Sequence, residues 1–205
     1  MLAHRMATFG AAGALTAILF VSACSTPGAN APSTAFFTSS MRDASPQPVK
    51  TSSPMPEKKA KVNAMDRQFV EKASPANLEE VALGMLGQKK AQSESVKAFA
   101  KRMETDHSKA EQALMTAAEE ADLTPPTELP PEAKATMERL KKLSGMAFDR
   151  EFMKVMVMGH EKAVRLFSME AERGSHPALT DYAKKTLPTI KEHLSMAKSI
   201  QSQLK

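Results

Sequence analysis

The amino-acid sequence predicts an all-α protein whose folded part is a helical bundle over residues 62–205. This part is rich in Ala, Leu, Met, Lys and Glu, which favour helices, and it has almost none of the apolar–polar alternation of strands. Along three long segments the apolar residues recur at steps of three and four. This spacing is typical of helices that bury one face against their neighbours in a bundle.

The first half of the bundle is predicted to contain two short helices and one long one. A helix over Asp66–Lys72 should be interrupted at Ser74-Pro75, because proline lacks an amide hydrogen and crowds the preceding turn. A second helix follows over Asn77–Ala91. Ser93 then caps a long helix that runs to about Asp122, since serine favours the position before a helix.

The second half is predicted to contain one short helix and two long ones. Prolines between residues 124 and 131 exclude a helix there, and a short helix follows over Glu132–Leu143. The long helices cover Met146–Arg173 and Ala178–Leu204. Pro188 is predicted to bend the last helix.

Residues 1–23 have the pattern of a secretory signal peptide. A short basic start is followed by an uncharged apolar stretch and by small residues that lead to the only cysteine, Cys24. Small residues before a cysteine resemble a bacterial lipobox, in which the sulfur receives a diacylglycerol. We therefore expect a lipid anchor at Cys24 and a place in the cell envelope, on the outer membrane facing the periplasm if the cell has two membranes. The alternatives are a spanning helix, for which the stretch is short, and secretion with a free thiol.

Residues 24–61 are predicted to form a disordered tether between the anchor and the bundle. They are rich in Ser, Thr, Pro and Ala and show no sustained apolar period. The bundle after the tether contains no cysteine, so it has no disulfide even in an oxidising compartment.

The three apolar stripes of the bundle contain one histidine each: His107, His160 and His193. Each lies near the middle of its predicted helix. Because mid-helix positions share one level of a bundle whichever way each helix runs, we expect the three rings to converge.

A series of short motifs runs through the bundle in a specific order and spacing. They are Phe69-Val70, Glu80-Val81, Val96–Met103, Asp106-His107, Phe148-Asp149, Gly159-His160-Glu161, Leu166-Phe167, Tyr182-Ala183, Lys185–Pro188 and His193. In these motifs the chain resembles the bacterial ferritin-like domains grouped as domain-of-unknown-function family 4142. The resemblance extends from Val62 to Leu204 and implies a ferritin-like four-helix bundle with short extra helices, commonly on secreted proteins or lipoproteins. It implies no established activity.

The histidines suggest either a metal site or a structural network. A di-iron centre needs a Glu-x-x-His pair on each of two helices, and only Glu104 and His107 form one. A mononuclear zinc, copper or iron site remains chemically reasonable, because imidazole suits all three metals. Its candidate ligands are His107, His160, His193, Glu104, Asp106 and Glu80.

We expect the structural alternative, in which the histidines hydrogen-bond to carboxylates and keep the packing in register without any cofactor. A pH-responsive role is a third option. The members of this buried polar network would be Glu80, Asp106, His107, Asp149, His160, Glu161 and His193.

Four methionines in the fourth predicted segment allow two similar interpretations. Methionine clusters can hold Cu(I), but methionine at helical spacing is usually flexible core filler, which we favour here. The residues are Met146, Met153, Met156 and Met158.

Several function classes are excluded by the sequence. It has no glycine-rich phosphate loop, no Gly-x-Ser-x-Gly turn and no tryptophan, and its single tyrosine offers no platform for nucleic acid. The net charge of +5 is modest and suits contact with envelope proteins or anionic envelope surfaces. We expect a binding or stress-related role rather than catalysis, with the membrane reached through the lipid.

Overall fold

A computed structural model describes residues 60–204, and this part of the chain is helical without any strand. The predicted signal peptide, Cys24 and all but the end of the predicted tether lie outside the described residues. The helices are α1 (Ala64–Lys90), α2 (Glu94–Glu120), α3 (Pro131–Lys141), α4 (Gly145–Arg173) and α5 (Pro177–Gln203). Apart from the N-terminal region, these bounds agree closely with the sequence-based prediction.

The four long helices form a bundle of two helical hairpins. α1 packs mainly against α2, and α4 packs mainly against α5, while α1 also contacts α4 and α2 contacts α5. The residues between α2 and α4, including α3, cross from one end of the bundle to the other. Each of the contacting pairs of long helices is therefore antiparallel. One long crossover between two hairpins is the topology of ferritin-like bundles.

Two fully buried aspartates tie the hairpins together at opposite ends of the bundle. At one end, Asp66 in the first turn of α1 accepts hydrogen bonds from the amides of residues 175–176, just before α5. At the other end, Asp149 in α4 accepts from the amides of residues 92–93, just before α2. Ser93 is the residue before α2, as predicted, but its side chain makes no capping bond. The Asp149 carboxylate satisfies the backbone there instead.

The core consists of two apolar clusters with the histidines between them along the helices. One cluster surrounds the fully buried Phe148 and Phe152, near the start of α4. The other surrounds Phe69, whose ring meets that of Phe167 edge-on at a centroid distance of 4.9 Å. The polar layer therefore lies at the middle of the bundle.

The predicted break at Ser74-Pro75 is wrong, because α1 is continuous through Pro75. A proline inside a helix costs about 3 kcal/mol. Residues of α1 on both sides of it are buried in the core, and the Ser74 hydroxyl lies 2.5 Å from Glu111 Oε1 and 2.7 Å from the Pro126 carbonyl oxygen. These contacts hold the two halves of α1 in one helix, since packing outweighs local propensity.

α5 also runs without interruption through its proline, Pro188. The bend expected there stays a prediction. Among residues 60–204, no helix combines the length and the apolar character that crossing a membrane requires.

Candidate functional site

Three histidines from three different helices meet at the middle of the bundle. His107 lies on α2, His160 on α4 and His193 on α5, and their exposed fractions are 7%, 1% and 1%. The ring centroids lie 5.5 to 5.6 Å apart in all three pairs. The helix stripes in the sequence place the rings on the inner faces, and the common level follows from their mid-helix positions.

In each ring, one nitrogen has a partner that can only accept. His107 Nδ1 lies 3.0 Å from Asn77 Oδ1, and His193 Nε2 lies 3.0 Å from Asp106 Oδ2. His160 Nδ1 lies 2.9 Å from the Met156 carbonyl oxygen and 3.4 Å from Glu80 Oε1. These nitrogens therefore carry the hydrogen, and the tautomer of each neutral ring is fixed.

The orientation of the Asn77 amide is itself determined. Its Nδ2 donates to Glu111 Oε2 at 3.1 Å, which leaves Oδ1 to face His107. Asn77 was not among the residues singled out from the sequence. Its spacing could have indicated it, because Asn77 lies three residues before Glu80 and so shares a helix face with it.

The second nitrogen of each ring has no hydrogen-bond partner within residues 60–204. These atoms are His107 Nε2, His160 Nε2 and His193 Nδ1, and all three are buried. With the hydrogen on the other nitrogen, each of them presents a lone pair. One nitrogen from each ring lies within 4.8 Å of the other two. Three buried imidazole nitrogens that can each donate a lone pair form a ligand set that a metal ion can use.

Burial keeps the rings neutral. Burial together with the neighbouring His160 and His193 lowers the pKa of His107 to about 3. Burial lowers the pKa of His160 to about 4 and also lowers that of His193. All three rings are therefore unprotonated at neutral pH, which is the state that binds metal.

Glu80 is buried beside His160. Burial and the nearby Glu79 raise the pKa of Glu80 to about 8, so its carboxyl group is protonated at neutral pH. Its Oε2 has no partner in the part of the chain that is described. Gly159 leaves room for this side chain, because a Cβ at that position would lie 3.0 Å from Glu80 Oε1.

Asp106 lies nearer the surface and remains charged. Although partial burial opposes ionisation, hydrogen bonds from His193 and Arg102 lower the pKa of Asp106. Arg102 Nε donates to Asp106 at 3.1 Å, and its Nη2 also lies 3.0 Å from Glu192. This chain of charges fixes the ring of His193 from the outer side.

Two cavities reach the histidines from different faces of the bundle. The first, of about 480 Å³, is lined mainly by α1 and α4 and includes Glu80, His107 and His160. The second, of about 390 Å³, is lined by α2 and α5 and includes His107 and His193. The histidine group is thus buried yet adjoins space that connects to its surroundings on both sides.

Three of the acidic candidates lie outside this group, and their predicted membership is wrong. Glu104 accepts a hydrogen bond from Gln88 at 2.5 Å rather than facing a histidine. Asp149 is buried at the end of the bundle, where it holds the backbone before α2. Glu161 is about two-fifths exposed and pairs with Lys198 at 2.8 Å. Glu161 directly follows His160, and adjacent residues of a helix do not share a face.

The four methionines do not gather into one site. Met153 and Met156 are fully buried in the cluster around Phe152, and Met146 packs against it, as expected of core filler. Met158 is 45% exposed, so this interpretation is wrong for that residue.

The fold is similar to crystal structures of two proteins of the DUF305 family. A DUF305 fragment from Deinococcus radiodurans matches with a TM-score of 0.60 and 15% identity, over 70% of this chain and 99% of that one. A DUF305 protein from Streptomyces coelicolor matches with a TM-score of 0.59 and 14% identity, over 68% of this chain and 92% of that one. At these identities the similarity concerns the fold.

The sequence itself matches one family. Residues 51–200 fit the profile of a family described as a domain of unknown function, DUF4142. No curated protein is similar enough to count as a match.

Proposed function

Because the chain belongs to the DUF4142 family, whose function is unknown, we propose a function from the site: the bundle binds one transition-metal ion through His107, His160 and His193. The role is binding rather than catalysis. We further propose that the protein is a lipoprotein of the cell envelope, held on a tether by Cys24.

The observation that supports metal binding is the set of three unpartnered ring nitrogens. A buried polar atom is normally hydrogen-bonded, and few exceptions occur in a native domain. Here three exceptions lie together, one on each ring, while the opposite nitrogen of every ring has an acceptor. A network that served packing alone would be expected to link the rings to one another or to carboxylates through both nitrogens.

The partners of the rings have the arrangement that supports metal ligands. A metal-bound histidine almost always donates its other N–H to a carboxylate, a backbone carbonyl or water, which fixes the ring, and the side-chain oxygen of an asparagine can accept in the same way. Asp106, the Met156 carbonyl and Asn77 supply these acceptors to His193, His160 and His107.

The spacing is close to that of a metal site but requires an adjustment. Two nitrogens bound at about 2.1 Å to one tetrahedral ion lie about 3.4 Å apart. One nitrogen from each ring lies within 4.8 Å of the other two, so the widest pair must approach by up to roughly 1.4 Å. Rotations of the three side chains would have to supply this approach. Imidazole ligands suit zinc, copper and iron, and these are the metals to test.

Metal binding is tested by thermal unfolding of protein stripped with a chelator. Zinc at about 100 times its dissociation constant should stabilise the protein by roughly 2.7 kcal/mol through mass action, and the melting temperature should rise by several degrees. His160→Ala should abolish this gain.

A matched control is His176→Ala, which removes another buried histidine, one that precedes α5. This variant should keep the zinc-dependent gain over its own metal-free form. If zinc, copper and iron all leave the melting temperature of the wild type unchanged, the site is a structural network and the metal proposal is wrong.

The lipid anchor is tested separately from the metal. Cys24→Ser should move the protein from the membrane fraction to the soluble envelope fraction with the bundle still folded, because no helix of residues 60–204 can span the membrane. Fractionation with circular dichroism of the released protein measures both points. Membrane association that persists in this variant, or a free thiol on the mature protein, would refute lipidation.

A further inference from the structure

The first cavity adjoins the proposed metal site at the bundle's middle. Glu80, His107 and His160 are among its lining residues, and the two histidines are proposed ligands. Three nitrogen ligands leave at least one position of a four-coordinate ion open. Any group at that position on the α1–α4 side would lie in this cavity of about 480 Å³.

The lining of the cavity combines apolar and basic side chains. Leu83, Val155 and Ile190 are among its apolar residues. The basic ones are Lys72, Arg139, Lys162 and Arg165, and the acidic ones are Glu79 and Glu80. Arg139 is ion-paired with Glu151, and the carboxyl group of Glu80 is protonated at neutral pH. Three basic side chains therefore face one acidic side chain, Glu79, before the charge of an ion is added.

This combination suits one class of ligand. The negative charge of such a ligand is attracted by the metal ion and by the basic side chains. Its apolar part binds favourably because it leaves water for the apolar side chains of the cavity. The second cavity is less suitable for an apolar body, because it is smaller, at about 390 Å³, and fewer apolar side chains line it.

We propose that the α1–α4 cavity binds a small organic anion, such as a short-chain carboxylate, whose charged end occupies the open position of the metal and whose apolar body lies along α1 and α4. This inference rests on the proposed metal site. It adds the class of ligand that the site would take.

The test uses the cobalt-substituted protein, because the visible absorption of Co²⁺ reports its ligands. Cobalt binding is established first, by the appearance of the absorption bands and their loss in His160→Ala. Acetate and hexanoate are then titrated separately. Both should change the bands, and hexanoate should bind roughly tenfold or more tightly than acetate, because its additional methylene groups are buried.

Two variants locate the ligand. Ala163 lines the first cavity and Ala113 lines the second. Ala163→Phe should abolish the preference for hexanoate while cobalt still binds, and Ala113→Phe should leave the preference intact. The comparison of the two carboxylates on the wild type needs neither variant to fold.

The outcomes separate the two proposals. If cobalt gives no bands, the metal site itself is refuted. If cobalt binds but neither carboxylate changes its bands, or both bind equally well, the metal site stands and the cavity proposal is overturned. Loss of the hexanoate preference in Ala113→Phe rather than Ala163→Phe would also overturn it.

Discussion

Asp106 and Glu104 are two carboxylates on α2 that make a matched pair for testing how the histidines are held. Asp106 accepts a hydrogen bond from His193, whereas Glu104 accepts one from Gln88 and contacts no histidine. Loss of a partner of this kind typically lowers metal affinity 10- to 100-fold. We therefore expect Asp106→Ala to weaken zinc binding by about that factor and Glu104→Ala to leave it nearly unchanged. Calorimetric titration with a competing chelator measures both, and equal effects of the two variants would refute the role of Asp106.

For single residues, the sequence predicted which histidines are buried better than it predicted their hydrogen-bond acceptors. The helical stripes located His107, His160 and His193 on inner faces, because burial follows the 3.6-residue period. Asp106, the acceptor for His193, was among the predicted network residues, but the other two acceptors could not be found in the same way. Asn77 comes from a helix that was expected to be broken nearby, and the Met156 acceptor is a backbone carbonyl. Partners on other helices depend on the register between helices, which a single stripe does not contain.

Gly84 allows α1 and α2 to approach each other closely. A Cβ at this position would lie 2.7 Å from the Ala100 carbonyl oxygen and 2.7 Å from the Glu104 amide nitrogen, both of which are backbone atoms. Gly84→Ala should therefore destabilise the protein by about 1–3 kcal/mol, although alanine is the better helix former. Gln68→Ala, at an exposed site of α1, serves as the control and should have little effect. Urea unfolding measures both, and a stabilised Gly84→Ala would contradict the close approach.

The helices illustrate where local patterns are sufficient. The end of α4 and the start of α5 follow glycine and proline signals closely, because these residues act through their own backbone. The start of α2 coincides with the serine signal, although the Asp149 carboxylate rather than the Ser93 side chain satisfies the backbone there. Pro75 is the counterexample. Its local effect is real, but buried residues on both sides of it pack against the rest of the bundle, and this packing is not visible in a window of seven residues.

The stability of the metal-free protein should depend on pH with a maximum near pH 6.5. The pKa values of His107, His160 and His193 are lowered in the folded state. Below the ordinary histidine value of 6.5 the unfolded chain therefore binds more protons than the folded one, and the free energy of unfolding decreases as the pH falls. Burial raises the pKa of Glu80 to about 8, and burial with the neighbouring Asp66 raises that of Glu170 to about 8. These two protonated glutamates stabilise the folded state at low pH, and this stabilisation is lost as the pH rises towards 8.

Between pH 4.5 and 6.5 the effects of His107 and His160 oppose those of the two glutamates, and the lowered pKa of His193 adds to the side of the histidines. Above pH 6.5 only the glutamates act among these five groups. Glu170→Gln should therefore roughly halve the loss of stability between pH 6.5 and 8. In the same variant the free energy of unfolding should rise more steeply between pH 4.5 and 6.5, because one opposing glutamate is absent. Urea unfolding at several pH values measures the profile. A free energy of unfolding that rises steadily through pH 8 would contradict the assignment.

The hydrogen bonds of Asp66 and Asp149 at the two ends of the bundle are related by one interval along the chain. The residue numbers of Asp66 and Asp149 differ by 83, and so do those of Ser93 and His176, whose amides these aspartates bind. The surrounding sequence follows the same interval: Asp66-Arg67-Gln68-Phe69 corresponds to Asp149-Arg150-Glu151-Phe152, and Val96, Phe99, Ala100 and Lys101 correspond to Leu179, Tyr182, Ala183 and Lys184. The two hairpins thus have the pattern of an internal duplication.

The same interval links two residues at the centre of the molecule. Asn77 in the first hairpin corresponds to His160 in the second. His160 supplies a ring nitrogen to the buried group, whereas Asn77 holds the ring of His107 in place. Equivalent positions of the two hairpins therefore contribute in different ways to the site, which makes the site asymmetric within a nearly symmetric frame of helices.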